Sequence, residues 1–300
     1  GGSRLVQAPS CKTRMIHPGA SFRSHMAKIK TGVGSTGRDN DEIREIEVKL
    51  DFTPNALSSL LYSQGDTQVL VCVTKAPSLP RWFPRDSDRG WVHAEYSLLP
   101  GSTDTRFRRE RSGAKGRTME IERLVARSLR GAVDLEQLGP VALTVDCDIL
   151  NADGGTRCAS ITAANIALRL AIRRLISSGE CLPKERRLTR EQIRKGAKQE
   201  TLSKEQMASH EDSVMPNDVA ALSVGMVGGQ VWTDLDYVLD SNADVDMNVV
   251  MTSSGDFVEV QGTGEEATYS RDELDSLIDA AEAGIAKLHK LQTEVLSNAS

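Results

Sequence analysis

The chain predicts a mixed α/β (α+β) domain, a mixed sheet with hairpins and packed helices, and three observations carry that reading. Segments of period-two alternation recur along it, tight glycine turns join several of them, and three longer segments carry apolar residues at helical spacing. Its 300 residues are ample for a sizeable core.

Taken in order, EIREIEVKLDF from Glu42 reads as a strand, and ALSSLLYSQGDTQVLVCVTKA reads as a hairpin about Gly65-Asp66. GWVHAEYSLLP follows as a further strand, and an arginine-rich loop runs from Thr105 to Arg117. Ile121, Leu124, Val125, Ser128, Leu129 and Ala132 then share one helical face. Val141, Leu143, Val145, Cys147 and Ile149 alternate with Thr144, Asp146 and Asp148, the pattern of a half-buried strand. After Gly154-Gly155 a second helix is predicted, with Ile161, Ala164, Asn165, Leu168, Ile172 and Leu175 on its face.

Residues 181–216 are charge-dense with almost no apolar stripe, and read as a solvated excursion, partly helical around Thr189 to Lys195 and partly mobile. Two hairpins come next, VAALSVGMV with QVWTDLDYVLD about Gly228-Gly229, and VDMNVVMT with FVEVQGT about Ser253 to Asp256. An amphipathic helix capped by Ser270 and Glu273 closes the chain. With no internal repeat and no linker, residues 37–297 read as a single domain.

The bulk properties exclude several classes. A net charge of −5 gives no global sign of nucleic-acid binding, so a polyanion site must come from local clusters of Arg and Lys. No apolar run is long enough to span a membrane. Cys11, Cys72, Cys147, Cys158 and Cys181 are odd in number and lack metal spacing, which points to free thiols in a reducing compartment. Residues 1–36 hold Arg and Lys but no acidic residue, and read as a disordered leader, either transit-like for an organelle or expression-derived.

Three constellations carry chemistry. Gly155, Thr156 and Arg157 follow a strand and open a helix, where free N–H groups and the positive dipole end favour an anion. A cation there is the wrong charge for the dipole, so Arg157 makes sense with a negative ligand between it and the helix end. Arg117 precedes the other helix in the same way, and two arginines can fork one phosphate. Asp240, placed where one strand ends, and Asp246, where the next begins, can turn two carboxylates to one point for proton transfer or for Mg²⁺. Asp234 and Asp244 read instead as turn residues. Arg106, Arg108, Arg109 and Arg111, with Lys115 and Arg117, form a local polyanion footprint, and Phe107 offers a base a stacking face. His93 reads as a packed or surface residue.

GWVHAEYSLLP, GRTMEIERLVARSLRGAVDL, VDCDILNADGGTRCASIT and DLDYVLDSNADVDMNVVMTSSGDFVEVQGTGE together resemble the ribonuclease PH family, in the expected order over nearly all of Gly34 to Leu296. The resemblance implies the two-layer fold also seen in domain 2 of ribosomal protein S5. It implies a phosphorolytic 3′-to-5′ exoribonuclease, a tRNA nucleotidyltransferase that trims tRNA precursors with inorganic phosphate and releases nucleoside diphosphates. By that likeness Arg117, Gly155, Thr156 and Arg157 bind the phosphate, Asp240 and Asp246 are the catalytic carboxylates and hold Mg²⁺, and Arg106 and Arg109 grip RNA. It further implies a homohexamer built as a trimer of dimers, and a cytoplasmic enzyme unless the leader directs it to an organelle.

Departures from the family pattern are Cys158 where many members have Thr, Gly101 where some have an arginine that grips RNA, a shorter arginine loop and a longer charged insert. Two alternatives stand beside this reading, an active subunit of an exosome-like ring and a catalytically silent RNA-binding ring scaffold. The contiguous GWVHAEYSLLP and DSNADVD motifs favour the stand-alone enzyme.

Overall fold

The computed structural model describes residues 37–84, 87–199, 201–265 and 267–299, so the expected leader, residues 1–36, lies outside the described residues. Strands β1 (Ile46–Leu50), β2 (Ser58–Gln64) and β3 (Thr67–Lys75) form an antiparallel meander, with Gly65 at φ 57° in the turn. Strand β4 (Trp91–Leu98) leads through α1 (Gly116–Ala132) and the single turn α2 (Leu135–Leu138) to β5 (Ala142–Asn151). β5 pairs parallel to β4 and antiparallel to β3, giving a mixed sheet of order β1-β2-β3-β5-β4. The alternation along β5 is realised: Leu143, Val145, Cys147 and Ile149 are buried, while Thr144, Asp146 and Asp148 are only half-buried.

Helix α3 (Thr156–Ser177) follows β5, and a second sheet follows the insert. That sheet comprises β6 (Val219–Val227), β7 (Gln230–Thr233), β8 (Val245–Thr252) and β9 (Phe257–Gly264), antiparallel in the order β7-β6-β8-β9. A helical turn α6 (Tyr237–Asp240) links β7 to β8, and α7 (Arg271–Asn298) closes the chain behind the Ser270/Glu273 capping box. The face predicted for α1 is buried from Ile121 to Ala132.

α3 differs from the single apolar face its spacing suggests. Every residue from Cys158 to Ile172 is buried, because β2 and β3 of one sheet and β6 of the other both pack on the helix. Alanines at 159, 163, 164, 167 and 171 leave room for both layers. Its buried polar groups are paired across the seam: Thr162 Oγ1 donates to Ala221 O at 3.3 Å, and Asn165 Nδ2 donates to an Asp218 carboxylate oxygen at 2.7 Å. α3 is thereby the common wall of both halves.

The charged stretch is also more ordered than its composition predicts. Beyond the short helix α4 (Arg190–Arg194), helix α5 (Lys204–Val214) carries a Ser203/Gln206 capping box and lies against α3. Its packed face holds His210, Glu211 and Val214, and Glu211 is bonded by Arg169 Nη1 at 3.2 Å and Arg173 Nε at 2.7 Å. Hydrophobic periodicity misses such a face because its central contact is an ion pair.

Candidate active site

The phosphate side is built by backbone first. Gly154 and Gly155 sit at φ 75° and 63°, and a Cβ on Gly154 would meet Leu235 O at 2.4 Å, so the turn demands glycine twice over. Thr67 Oγ1 donates to Gly154 O at 2.7 Å and accepts the Asp153 N–H at 3.1 Å, which fixes the approach to α3. Arg117 and Arg157 are each the second residue of their helices, and neither first turn holds an acidic residue. Thr156 Oγ1 lies 2.9 Å from the Tyr96 hydroxyl. Burial pushes that phenol up, while the hydrogen bond with Thr156 and then the charges of Arg117 and Arg157 pull it down.

Arg157 is held by a group that sequence reasoning missed. Its Nη2 donates to Glu120 Oε2 at 3.0 Å, yet its Nε is buried with no partner among the described residues. A buried guanidinium donor left unpaired is costly, and an anion at the helix start would satisfy it. Glu120 also lies 3.5 Å from Gln261 Nε2, which ties the arginine to β9.

The carboxylate side departs from the expectation in one respect. Asp240 ends the helical turn α6 and not a strand, because Asp236 caps that turn by accepting the Leu239 N–H at 2.9 Å. Asp246 is the second residue of β8, as expected. Burial raises the Asp240 carboxyl, while Arg157 and Arg117 draw it back down. Asp246 is pushed up to about 6 by burial, then by the neighbouring charge of Asp240, against the pull of Arg157. Arg157 therefore lies within electrostatic reach of both carboxylates, and Arg117 within reach of Asp240.

The arginine loop stands to one side. Arg106, Arg108, Arg109 and Arg111 are exposed, and the charge of Arg109 reaches Asp148 on β5. Phe107 is half-buried, its N–H donating to Pro100 O at 2.9 Å. His93 is exposed on β4, in keeping with a surface role. Cys158, beside the phosphate turn, donates to Asn248 Oδ1 at 3.1 Å, and burial pushes its thiol up.

Asp234 lies in the bend after β7, as expected of a turn residue, but its side chain does more than cap a turn. It is 1% exposed and takes a two-pronged hydrogen bond from Arg44, with Nε at 3.0 Å and Nη2 at 2.7 Å. The partners are 190 positions apart, and no spacing rule connects them.

A family model described as the 3′ exoribonuclease family, domain 1, matches residues 42–173, and the corresponding domain 2 model matches residues 218–284. The chain is 45% identical over 258 residues to ribonuclease PH of Rhodopirellula baltica, covering 86% of this chain and 95% of that protein. The chain belongs to the ribonuclease PH family. A second ribonuclease PH, from Corynebacterium kroppenstedtii, is 44% identical over 88% of this chain and 93% of its own length. Among solved structures, an Archaeoglobus fulgidus exosome with RNA bound to the active site aligns at TM-score 0.62 and 23% identity, over 85% of this chain and 90% of that one. Rice Rrp46 aligns at TM-score 0.62 and 15% identity, over 87% of this chain and 98% of that one, and at these identities both show a shared fold. Membership of the ribonuclease PH family makes the chain a phosphate-dependent exoribonuclease of the nucleotidyltransferase class.

Proposed function

We propose that this chain trims the 3′ ends of tRNA precursors by phosphorolysis, with Arg117, Gly155, Thr156 and Arg157 seating the attacking phosphate and Asp240 and Asp246 serving as catalytic carboxylates. The observation that carries this assignment is the unpaired, buried Nε of Arg157 at a helix start whose charge acts on both carboxylates. A phosphate oxygen attacks the terminal phosphodiester phosphorus, the bond to the penultimate O3′ breaks, and that oxygen takes up a proton. The products are a nucleoside diphosphate and an RNA one nucleotide shorter. Phosphate is a weak nucleophile facing an anionic ester, so the arginines must neutralise charge and align both groups in line.

Two desolvated carboxylates, one of them raised further by the other's charge, fit a divalent cation. Mg²⁺ keeps several waters and takes substrate phosphate, so a pair of carboxylates is enough to hold it. Asp240 and Asp246 would hold it, and when bound it supplies charge stabilisation at the departing oxygen. Arg106, Arg108, Arg109 and Arg111 grip the RNA backbone by charge.

Residues 37–297 act as one domain in this reading, since α3 serves the cores of both sheets. The assembly is a homohexamer, a trimer of dimers, and the setting is a reducing cytoplasm, a reading supported by the free thiols Cys72, Cys147, Cys158 and Cys181. No described helix is long and apolar enough to cross a membrane. The test is the purified chain alone with Mg²⁺, phosphate and a tRNA precursor, beside an unstructured RNA. Nucleoside diphosphates are expected, whereas monophosphates released without phosphate dependence overturn the reading. Activity that needs a partner subunit would favour the exosome-like alternative.

A further inference from the structure

The phosphate turn and the carboxylates belong to different sheets, and one buried ion pair spans the seam between them. Arg44, in the segment before β1, and Asp234, just after β7, are 6% and 1% exposed. Besides the two guanidinium bonds, the Arg44 N–H donates to Asp234 Oδ2 at 2.7 Å. The remaining nitrogen, Nη1, donates to Asp153 O at 2.5 Å and lies 3.5 Å from the Asp153 carboxylate, immediately before Gly154-Gly155.

From Asp153 the chain of contacts runs on to the catalytic segment. Asp153 Oδ1 accepts the N–H of Tyr237 at 3.3 Å, and Tyr237 opens the turn that ends in Asp240. Gly154 packs directly on Leu235 O, and Leu235 N–H donates to Ser223 Oγ at 3.1 Å. Asp234 itself is held at φ 57°, a conformation a non-glycine residue keeps only where its surroundings enforce it.

We infer that Arg44 and Asp234 are positioning residues whose pair locks the Gly155-Thr156-Arg157 turn to the segment from Leu235 to Asp240, holding phosphate cradle and carboxylates in one geometry. Its kinetic consequence rests on the proposed phosphorolytic site. An apolar pair of equal volume would fill the core as well, since buried ion pairs add little net stability over such a replacement. It would leave the Asp153 carbonyl without its donor and the turn free to shift. Misplacement by about 1 Å costs in-line reactions on the order of 100-fold.

Arg44→Lys keeps the charge and loses the fork, so it cannot serve Asp234 and Asp153 together. Its kcat is expected to fall about 100-fold, with a raised KM for phosphate, because both sides of the site move. Thr67→Val acts on the turn side of the pair, removing the hydroxyl that bonds Gly154 and Asp153 and accepts from Arg44 Nη1 at 3.5 Å while leaving the Arg44–Asp234 bonds in place. It is expected to raise the phosphate KM about 2- to 10-fold with kcat little changed. A merely structural role would lower melting temperature without that KM-against-kcat split.

Hydrogen exchange on the protein without RNA or phosphate supplies an independent readout. In Arg44→Lys, amides 153–157 and 235–241 are expected to exchange faster together while those of α1 do not change. Exchange confined to one segment, or soluble Arg44→Lys with both constants within twofold of the unmodified chain, overturns the inference. If Arg44→Lys does not fold, Thr67→Val decides alone, and an unaltered phosphate KM with unaltered exchange at 153–157 overturns it. Joint loosening in a chain whose parent releases no nucleoside diphosphate would sink the proposed activity and leave the coupling standing.

Discussion

The proposed phosphate half of the site is cationic, drawn from the starts of two helices, and braced by α3, the buried helix shared by both sheets. The carboxylate half is acidic, drawn from one helical turn and the start of a strand, and carries two carboxyls raised by burial. The first half suits an anion because two helix starts carry arginines and the Arg157 Nε has no partner among the described residues. The second is uncomfortable until a cation or an arginine neutralises it, so each half supplies what the other lacks.

The comparison breaks most sharply at Asp240. Asp240→Asn removes a charge that only the carboxylate half supplies, so turnover is expected to fall about 100- to 1,000-fold while RNA affinity holds; equal losses in both would contradict separate roles. Arg157→Ala strikes the opposite half. Loss of a charge-assisted bond of about 1.5–3 kcal/mol raises the phosphate KM about 10- to 100-fold, checked by phosphate titration at saturating RNA.

Acidity sharpens the contrast further. Asp246 in the free protein is pushed up to about 6, so kcat/KM is expected to fall about tenfold per unit below that pH. Mg²⁺ moves the limb downward, and a limb that ignores Mg²⁺ would argue against a shared carboxylate site. The stability sign follows from the same shift: ionising a carboxyl whose folded value is raised costs stability. That cost is absent below the ordinary carboxylate range and complete above about pH 6. Asp234 behaves oppositely. Burial pushes it up, the Arg44 bonds overcome that and leave it below the ordinary range, so its stabilisation is present above that range and fades as pH falls through its folded value.

Gly154→Ala tests the seam. A left-handed alanine costs roughly 1–3 kcal/mol before its clash with Leu235 O is counted, and thermal melting reads the loss. The smallest effect belongs to the exposed loop. Arg106→Ala or Arg109→Ala is expected to reduce the salt slope of RNA binding by about 1 each, with kcat unchanged.

Legibility followed locality. The β5 strand, the double-glycine turn and the arginine at the start of α3 lie within one short stretch, so alternation and turn chemistry exposed them. The β2–β3 and β8–β9 hairpins were legible for the same reason. Asp240 was placed on a strand because Val238 and Leu239 look like strand residues, while the cap at Asp236 winds them into a turn. Asp234 passed for a loop aspartate, and Arg44 and Glu120 carried no signal, since each acts through a partner remote in sequence. The insert failed for a related reason, its packed face being held by Arg169 and Arg173 on Glu211.

By itself the sequence determined most strands, the three long helices and the family motifs, because periodicity, glycine and helix starts are local physics. Only the tertiary structure decided that α3 is shared by two sheets, that Arg44 and Asp234 meet, and that the charges of Arg117 and Arg157 reach Asp240. Those facts depend on burial, and burial is a property of the whole packed chain.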